Sequence, residues 1–196
     1  FLPKAKIFNL QKAFDTVNHE ILLDKLNHYG IRDTPLNWFK SYLSNRKQYV
    51  SVNGSTSDNL DITCGVPQGS VLGPLLFLIF INDLPNVSKI LSFYLFADDT
   101  NIYFQSTNLY DLQKHMNKEL RKVRKWLEAN HLALNIDKTS FVIFHSPFKK
   151  VNEPIIIKIG RKKINREEYV QFLGVLLDSH LSWKHHITEL SKKLSR

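Results

Sequence analysis

Two adjacent aspartates lie between two runs of β-forming residues in the stretch Leu91-Ser92-Phe93-Tyr94-Leu95-Phe96-Ala97-Asp98-Asp99-Thr100-Asn101-Ile102-Tyr103-Phe104. The runs, residues 91–96 and 101–104, are rich in aromatic and branched side chains, which favour strands. Two neighbouring carboxylates disfavour each other's ionisation unless a cation neutralises them, and Mg²⁺ prefers such oxygen ligands. The pair therefore predicts either a metal site at the end of a hairpin or an ordinary solvated turn, where aspartate is common.

The composition is that of an ordinary globular protein, with 43% hydrophobic and 23% charged residues in a chain of 196. This length allows one hydrophobic core, or one core with an appendage. The single cysteine, Cys64, excludes an internal disulfide, and no cysteine and histidine cluster has the spacing of a zinc site. We therefore expect a reducing, intracellular compartment.

The longest apolar run, residues 71–81, is interrupted by Gly73 and Pro74 and is shorter than the about 20 residues that span a bilayer. The N-terminus has no signal-peptide pattern. We therefore expect no membrane association. The only methionine is Met116, and the chain stops at Arg196 directly after an amphipathic segment, so we expect a fragment of a longer protein.

The net charge of +9 predicts an acidic partner. The excess is uneven, because residues 149–196 hold eleven Lys and Arg against five Asp and Glu. This basic segment is either a solvated surface or a face that contacts phosphate, where cationic side chains gain by releasing the counterions condensed on nucleic acid. Charge alone does not separate the two interpretations.

Strands and helices follow one another without the strict alternation of a parallel sheet. Apolar periodicity predicts five helices: one capped by Asp15 or Thr16 and ended by Gly30, one opened by Thr34-Pro35, one after the loop at residues 65–70, one over residues 109–127 and one from about Trp183. Strands are predicted at residues 6–10, 48–52 before an Asn53-Gly54 turn, 91–96, 101–104, 140–144, 155–159 and 169–177. We therefore expect an α+β fold in which helices back a largely antiparallel sheet.

Several motifs occur together in one order along the chain. They are Lys12-Ala13-Phe14-Asp15, Gly65-Val66-Pro67-Gln68-Gly69-Ser70-Val71-Leu72-Gly73-Pro74, Phe96-Ala97-Asp98-Asp99, Leu132-Ala133-Leu134-Asn135 with Lys138-Thr139, and Phe172-Leu173-Gly174-Val175 with Leu177-Asp178. In this combination the sequence resembles the reverse transcriptase (RNA-directed DNA polymerase) domain of non-LTR retrotransposons, of the jockey-like or a related group. The resemblance covers nearly the whole chain.

The resemblance implies the palm of a right-hand polymerase with the start of the thumb. Residues 1–178 would be the palm, with the fingers largely missing, and residues 179–196 the start of the thumb or a connecting basic helix. The implied function is template-directed polymerisation of deoxynucleotides onto a primer by phosphoryl transfer at two Mg²⁺ ions, for which Mn²⁺ can substitute. The implied partners are an RNA template, a DNA primer and deoxynucleoside triphosphates, in the nucleus and cytoplasm. The sequence does not determine the oligomeric state.

The same resemblance implies catalytic roles for particular residues. Asp98 and Asp99 would be the catalytic metal ligands, and the backbone carbonyl of Leu10 would be a further ligand. Lys138 is a candidate proton donor to the departing pyrophosphate, or else a surface lysine.

Other residues would contact the substrates. Phe14 would be the aromatic gate that excludes a 2′-hydroxyl from the incoming sugar, or else a core side chain. Gln68 and Gly69 would belong to a loop that touches the templating pair, because small residues let the backbone approach nucleic acid closely. A turn made only for folding is the alternative for that loop. Leu173 and Gly174 would form the primer grip, whose role is positional.

The sequence departs from the family at one metal ligand. The family has an aspartate five residues before the aromatic gate, and this sequence has Asn9 there. An amide oxygen can coordinate a cation, but it is neutral and bridges two dications poorly. Asp15 is not expected to substitute, because six residues of extended chain span roughly 20 Å.

Three interpretations of the function follow. The chain is an active polymerase, or a catalytically dead, decayed or domesticated copy that acts at most as a nucleic-acid-binding module, or an interaction scaffold. Asn9 favours the second interpretation. The intact loop at residues 65–70 and the pair Asp98-Asp99 favour the first, or a recent decay.

Overall fold

The computed structural model describes residues 4–7, 12–97, 99–148, 151 and 154–195, with side chains from residue 12 onward. The chain divides into two compact units. One consists of Phe1–Leu10, Pro85–Trp126 and Leu134–Arg196, and we call it the sheet unit. The other consists of Gln11–Leu84 and Leu127–Ala133, and we call it the helical unit.

All five predicted helices are confirmed, with differences at their ends. The helices are α1 His19–His28, α2 Asp33–Leu43, α3 Leu72–Ile81, α4 Leu109–Ala129 and α5 Lys184–Leu194. The described strands are β1 Lys4–Ile7, β2 Lys47–Gln48, β3 Ser51–Val52, β4 Ser55–Thr56, β5 Leu60–Asp61, β6 Ser92–Phe96, β7 Asp99–Gln105, β8 Ser140–Phe144, β9 Lys158–Ile159, β10 Lys162–Lys163, β11 Asn165–Arg166, β12 Tyr169–Phe172 and β13 Val175–Asp178. Short 3₁₀ turns span Ala13–Asp15 and Leu84–Val87. Within the described ranges, no helix is long and apolar enough to cross a membrane.

Five strands of the sheet unit form one sheet, in the order β11-β8-β1-β7-β6. Neighbouring strands are antiparallel, except that β11 runs parallel to β8. The largely antiparallel sheet that the sequence predicts is therefore confirmed. Four of its described side chains are completely buried: Ile102, Phe141, Val142 and Ile143. Because successive side chains of a strand point to opposite faces, β8 is buried on both faces of the sheet.

Helix α4, of which residues 109–126 belong to the sheet unit, carries the predicted apolar stripe. Four side chains on one face of it are completely buried: Leu112, Met116, Leu120 and Val123. Glu119 is also buried, and burial opposes its ionisation, but hydrogen bonds from Lys122 and Ser88 outweigh burial and lower the pKa of Glu119. The Glu119 carboxylate accepts from Lys122 Nζ at 2.7 Å. This buried carboxylate is therefore ionised and ties α4 to the segment before β6.

The single strand predicted over residues 169–177 is wrong, because the structure has the hairpin β12–β13 there. Leu173 and Gly174 have positive φ values of 46° and 83°, and Phe172 pairs with Val175 across them. Positive φ at both central residues is the geometry of a tight hairpin turn. The prediction failed because Leu173 is not a turn-forming residue and apolar residues flank it on both sides. The strand predicted over residues 155–159 is shortened to β9, which pairs with β10.

Helix α1 of the helical unit begins later than predicted. Asn18, rather than Asp15 or Thr16, is its N-cap, and Asn18 Oδ1 accepts the backbone N–H of Ile21 at 3.0 Å. Asp15 belongs to the preceding 3₁₀ turn, and the Thr16 hydroxyl donates to the Lys12 carbonyl at 3.1 Å. The two predicted caps therefore lie in a separate turn before the helix.

Helix α3 packs into the core of the helical unit. Four of its side chains are almost completely buried: Leu76, Phe77, Phe80 and Ile81. Lys25 of α1 donates to the Phe80 carbonyl and to Asp83 Oδ1, each at 2.6 Å. Burial lowers the pKa of Lys25, and it outweighs the opposite effect of the Asp83 carboxylate. Lys25 thus joins α1 to the C-terminal end of α3.

Candidate functional site

The first candidate residues lie on the β6–β7 hairpin of the sheet unit. Asp99 is the first residue of β7, pairs with Phe96 and is partly exposed. Asn9, Leu10 and Asp98 lie outside the described residues.

Two described residues beside Asp99 have unusual environments. Ala97 has a left-handed backbone with φ of 49°, which costs roughly 1–2 kcal/mol for a residue with a side chain. Thr100 is 1% exposed, and its Oγ1 is buried without a hydrogen-bond partner in the described part of the chain. Strained residues often occur at functional sites, and an unsatisfied buried hydroxyl can mark a place where another group binds. Both features identify this end of the hairpin as a candidate site.

The residue types at this end suit a divalent cation. Mg²⁺ usually takes one or two protein carboxylates and completes its shell with water and substrate phosphate. Among the described residues, no group of three or more His, Cys, Asp or Glu side chains could hold a metal ion. Asp98 is not a described residue, so this absence does not extend to it. Two adjacent aspartates fit a magnesium site that the substrate completes.

The second set of candidate residues lies in the helical unit, where the loop at residues 65–70 is held by backbone hydrogen bonds. The N–H of Gly65 donates to the Val17 carbonyl at 2.7 Å, and the N–H of Val66 donates to the Phe14 carbonyl at 2.8 Å. The Nε2 atom of His19 lies 2.7 Å from the Gly65 carbonyl oxygen. These bonds fix the start of the loop against the 3₁₀ turn Ala13–Asp15 and the start of α1.

Only glycine fits at position 65. Gly65 has φ of 88°, and a Cβ there would lie 2.8 Å from the backbone oxygen of Asp15. A side chain would therefore meet both backbone strain and a steric clash. The motif glycine lets the loop approach the turn closely.

The loop brings Gln68 into contact with Asp15. Gln68 Nε2 donates to Asp15 Oδ1 at 2.6 Å, and both residues are exposed. Gly69 follows with φ of 79° and with open space where a Cβ would lie. The contact between Asp15 and Gln68 was not predicted, because the two residues are 53 positions apart and no local pattern links them.

Phe14 has a mixed environment. It is partly exposed, and its ring centroid lies 4.6 Å from that of the buried Phe77, with the ring planes tilted by 38°. This contact is the core packing that one interpretation of Phe14 predicts. The exposed part of the ring leaves the gate interpretation open.

A pocket of about 550 Å³ lies beside these residues in the helical unit. Its walls include the loop at residues 65–68, the cations Lys12 and Arg46, and the carboxylates Asp15 and Asp61. The mixture of both charges with backbone groups suits a polar, charged ligand rather than an apolar one.

Leu173 and Gly174, the predicted primer grip, form the turn of the β12–β13 hairpin in the sheet unit. A cavity of about 540 Å³ is lined both by this hairpin and by the β6–β7 hairpin, through Phe172 on one side and Tyr94 and Tyr103 on the other. The structure therefore brings the hairpin that carries Asp99 close to the hairpin that carries the predicted primer grip.

Lys138 is exposed in the turn before β8. Its backbone N–H donates to Asn135 Oδ1 at 3.2 Å, and the Thr139 hydroxyl donates to the Asn135 carbonyl at 2.6 Å. Asn135 thus shapes the turn, as a residue that favours such local bonds. The exposed position fits both interpretations of Lys138, the proton donor and the surface lysine.

The turn before α5 is organised by Asp178. Burial opposes ionisation of this carboxyl, but the backbone N–H groups of Ser182 and His180 and the Ser182 hydroxyl outweigh burial and lower the pKa of Asp178. The hydroxyl donates to Asp178 Oδ2 at 2.9 Å.

Each described Lys and Arg after residue 151 is exposed, as both interpretations of the basic segment require.

The comparisons with known proteins agree with the motifs. The reverse transcriptase (RNA-dependent DNA polymerase) family matches residues 5–177. The chain is 29% identical over 191 residues to the RNA-directed DNA polymerase from mobile element jockey of Drosophila melanogaster. The matched region covers 94% of this chain and 20% of that protein. It is 31% identical over 189 residues to the polymerase of the same name from Drosophila funebris, with 93% and 20% covered. The chain therefore spans about a fifth of the length of these relatives.

Solved structures agree in fold. Apo telomerase from Candida tropicalis, truncated from its C-terminal domain, matches 91% of this chain and 34% of its own with a TM-score of 0.60 and 13% identity. Telomerase from Candida albicans, in complex with a fragment of telomeric RNA, matches 93% and 31% with a TM-score of 0.58 and 14% identity. These likenesses concern the fold alone and confirm the predicted palm. With the family match over most of its length, the chain belongs to the reverse transcriptase family, as a reverse transcriptase domain of the mobile-element type.

Proposed function

We propose that this chain supplies the palm for template-directed polymerisation of deoxynucleotides onto a primer, and that Asn9 impairs the chemical step in this copy. The observation that carries the proposal is the β6–β7 hairpin, where a partly exposed Asp99 follows a strained Ala97 and precedes an unsatisfied, buried Thr100. In this proposal residues 1–178 form the palm and residues 179–196 the start of the thumb.

The metal ligands would be Asp98, Asp99 and the amide of Asn9, with the backbone carbonyl of Leu10. The pairing of β1 with β7 supports this assignment. Ile7 pairs with Ile102, three residues after Asp99 on β7. Two bound Mg²⁺ ions, or Mn²⁺ in their place, would supply activation of the primer hydroxyl and stabilisation of the leaving pyrophosphate.

Asn9 changes the electrostatics of this site. Two carboxylates provide two negative charges, and a third aspartate would add one more at the position that would bridge the two ions. Removing one charge from a dication site weakens transition-state stabilisation by several kcal/mol, or roughly a factor of 100 or more in rate. Asn9 therefore favours a palm that binds nucleic acid but turns over slowly.

The nucleotide would bind against the helical unit. The Asp15 carboxylate accepts the Gln68 amide at 2.6 Å and so holds Gln68 in one orientation at the rim of the pocket. Gly69 leaves space for close approach of the templating pair, and the exposed part of Phe14 would face the sugar. Lys12 and Arg46 in the pocket wall offer positive charge for phosphate.

The remaining residues would act on the primer and the leaving group. The Leu173-Gly174 turn would position the primer beside the hairpin of Asp99, and Lys138 would donate a proton to pyrophosphate. The proposed partners are an RNA template, a DNA primer and deoxynucleoside triphosphates, met in the nucleus and the cytoplasm. Exposed cations after residue 151 would contact phosphates.

A binding experiment tests this proposal without requiring turnover. A DNA primer that ends in a dideoxynucleotide is annealed to an RNA template, and its dissociation constant is measured across a salt series, with and without the next complementary deoxynucleotide. We expect strong salt dependence, because bound phosphates release counterions, and tighter binding only with the complementary nucleotide.

Matched variants locate the nucleotide site. Gln68→Ala and Asp15→Ala should remove most of the gain from the complementary nucleotide, whereas Asp15→Asn, which retains an acceptor oxygen, should retain part of it. Asp58→Ala, an exposed carboxylate of the same unit, is the control and should change nothing. Absence of binding to the hybrid at low salt would refute the proposal and support the interaction scaffold.

A further inference from the structure

Helix α2 carries a stack of aromatic side chains that are not buried in the core of the helical unit. Trp38 and Tyr42 are four residues apart, so they lie on the same side of the helix. Their rings stack with 5.4 Å between centroids and 11° between planes. The guanidinium of Arg46 lies 5.6 Å from the Tyr42 ring centroid, within cation–π range. We call Trp38, Tyr42 and Arg46 the aromatic column.

The aromatic column is open at the Trp38 end. Trp38 is 53% exposed, although a tryptophan in a core is largely buried. Leu43 of the same helix is 1% exposed, so α2 has a separate face for packing. Phe39 meets Trp38 edge to face, with 5.1 Å between ring centroids. The Trp38 ring is therefore supported from two sides and yet accessible to solvent, which suits a ring that receives another flat group.

The charge around the aromatic column is positive. Residues 31–50 hold four Lys and Arg against one acidic residue, Asp33, and all five charged side chains are exposed. Lys47 pairs with Asp61 of β5 at 3.6 Å, in an exposed ion pair of little strength. A partner with regularly spaced negative charge complements this segment. An apolar protein partner would instead have to desolvate Lys40 and Arg46.

We propose that the aromatic column is a stacking platform for unpaired bases of a single-stranded RNA, with the cations of residues 31–50 on its phosphates. An exposed ring backed by a second ring offers a flat surface to any base, and each base stacked on an aromatic side chain typically contributes about 1–3 kcal/mol. This inference rests on the proposed function, which supplies the RNA. It extends that function to helix α2, where none of the predicted polymerase residues lies.

The test measures binding of a fluorescent 12-nucleotide oligouridine to the whole chain by anisotropy at low salt. We expect Trp38→Ala to weaken binding by about fivefold or more, the change that corresponds to the loss of one stacked base. Trp38→Phe should retain most of the affinity, because it keeps a ring. Tyr110→Ala removes a 71% exposed aromatic of α4 and is the matched control, which should bind as the unmodified chain does.

The outcomes separate this inference from the proposed function. A Trp38→Ala chain that binds oligouridine as tightly as the unmodified chain overturns the inference, and so does a Tyr110→Ala chain that loses as much. Binding of a primer–template hybrid that leaves no template base unpaired, measured in parallel, reports on the polymerase site without the aromatic column. Thermal unfolding followed by circular dichroism checks that Trp38→Ala folds, and Trp38→Leu, which keeps an apolar side chain without a ring, should bind as weakly as Trp38→Ala.

Discussion

The loop at residues 65–70 and the β6–β7 hairpin both use left-handed backbone, but they use different residues for it. In the loop, Gly65 and Gly69 have φ of 88° and 79°, which glycine adopts without steric cost. In the hairpin, Ala97 has φ of 49° and carries a Cβ. The residues of the loop therefore suit its backbone conformation, whereas Ala97 in the hairpin that carries Asp99 is under local strain.

The same contrast separates two hairpin turns. Asn53-Gly54 closes β3–β4 with φ of 50° and 83°, and both residues suit that turn. Leu173-Gly174 closes β12–β13 with nearly the same angles, although leucine is not a turn former. The preference for asparagine and glycine at positive φ holds at Asn53-Gly54 and fails at Ala97 and Leu173, as it also does at Leu181 and Trp183. Left-handed backbone at a residue with a side chain stores local strain, at functional sites and elsewhere.

Replacing Gly65 should have the largest effect on stability. Gly65→Ala should lower the free energy of unfolding by about 2–5 kcal/mol, because strain at positive φ adds to the clash with the Asp15 backbone. Gly69→Ala is the control, since φ is similar and no atom lies within 4 Å of the added Cβ. Urea unfolding measures both, and equal losses would show that the close approach contributes nothing.

Removing the Asp178 carboxylate should have the next largest effect. Asp178→Ala should cost about 2 kcal/mol at neutral pH, because charge-assisted hydrogen bonds from Ser182 and His180 are lost. The folded pKa is lowered, so the stability it contributes is fully present above the unfolded value of about 4 and is lost as the pH falls through the folded pKa. Unfolding curves of both chains should therefore converge on acidification. A constant difference from pH 7 to pH 2 would contradict this account.

Relieving the strain at Ala97 should have a smaller effect, of opposite sign. Ala97→Gly should stabilise the chain by up to about 1 kcal/mol, because relief of left-handed strain exceeds the extra entropy of the unfolded glycine. Thermal or urea unfolding measures the change. A loss of stability would mean that the backbone at Ala97 carries no strain, and the contrast with the loop would disappear.

The smallest effect is expected from exchanging residues between the two hairpin turns. Leu173→Asn should stabilise by about 0.5 kcal/mol, and Asn53→Leu should destabilise by a similar amount, because asparagine tolerates left-handed backbone better than leucine. The pair is compared by urea unfolding of both single variants. Changes of the same sign would indicate that contacts of the side chains, rather than backbone preference, decide both turns.

Much of the fold followed from periodic patterns in the sequence. The spacing of Leu112, Met116 and Leu120 predicted α4 because one face of a helix recurs every three or four residues. Asn53-Gly54 predicted a turn because both residues accept positive φ. The order of the motifs predicted the palm, since several matches in register constrain one another.

The remaining features depend on contacts between distant segments. Asn18 rather than Asp15 caps α1, because the 3₁₀ turn places Asp15 against Gln68 instead. The turn at Leu173 could not be predicted from residue preferences, because leucine rarely occurs in such turns. The aromatic column could not be predicted either, because the spacing of Trp38 and Tyr42 alone does not distinguish a core face from an exposed stack.

The most direct test of the central claim concerns Asn9. Primer extension on an RNA template with Mg²⁺ compares the complete protein that carries this chain with its Asn9→Asp version, and Asp99→Asn in both serves as the control. We predict that Asn9→Asp extends primers about 100-fold faster or more, since a third carboxylate restores charge at the metal site, and that Asp99→Asn abolishes the gain. Extension by the unmodified protein at the rate of the Asn9→Asp version would contradict the account.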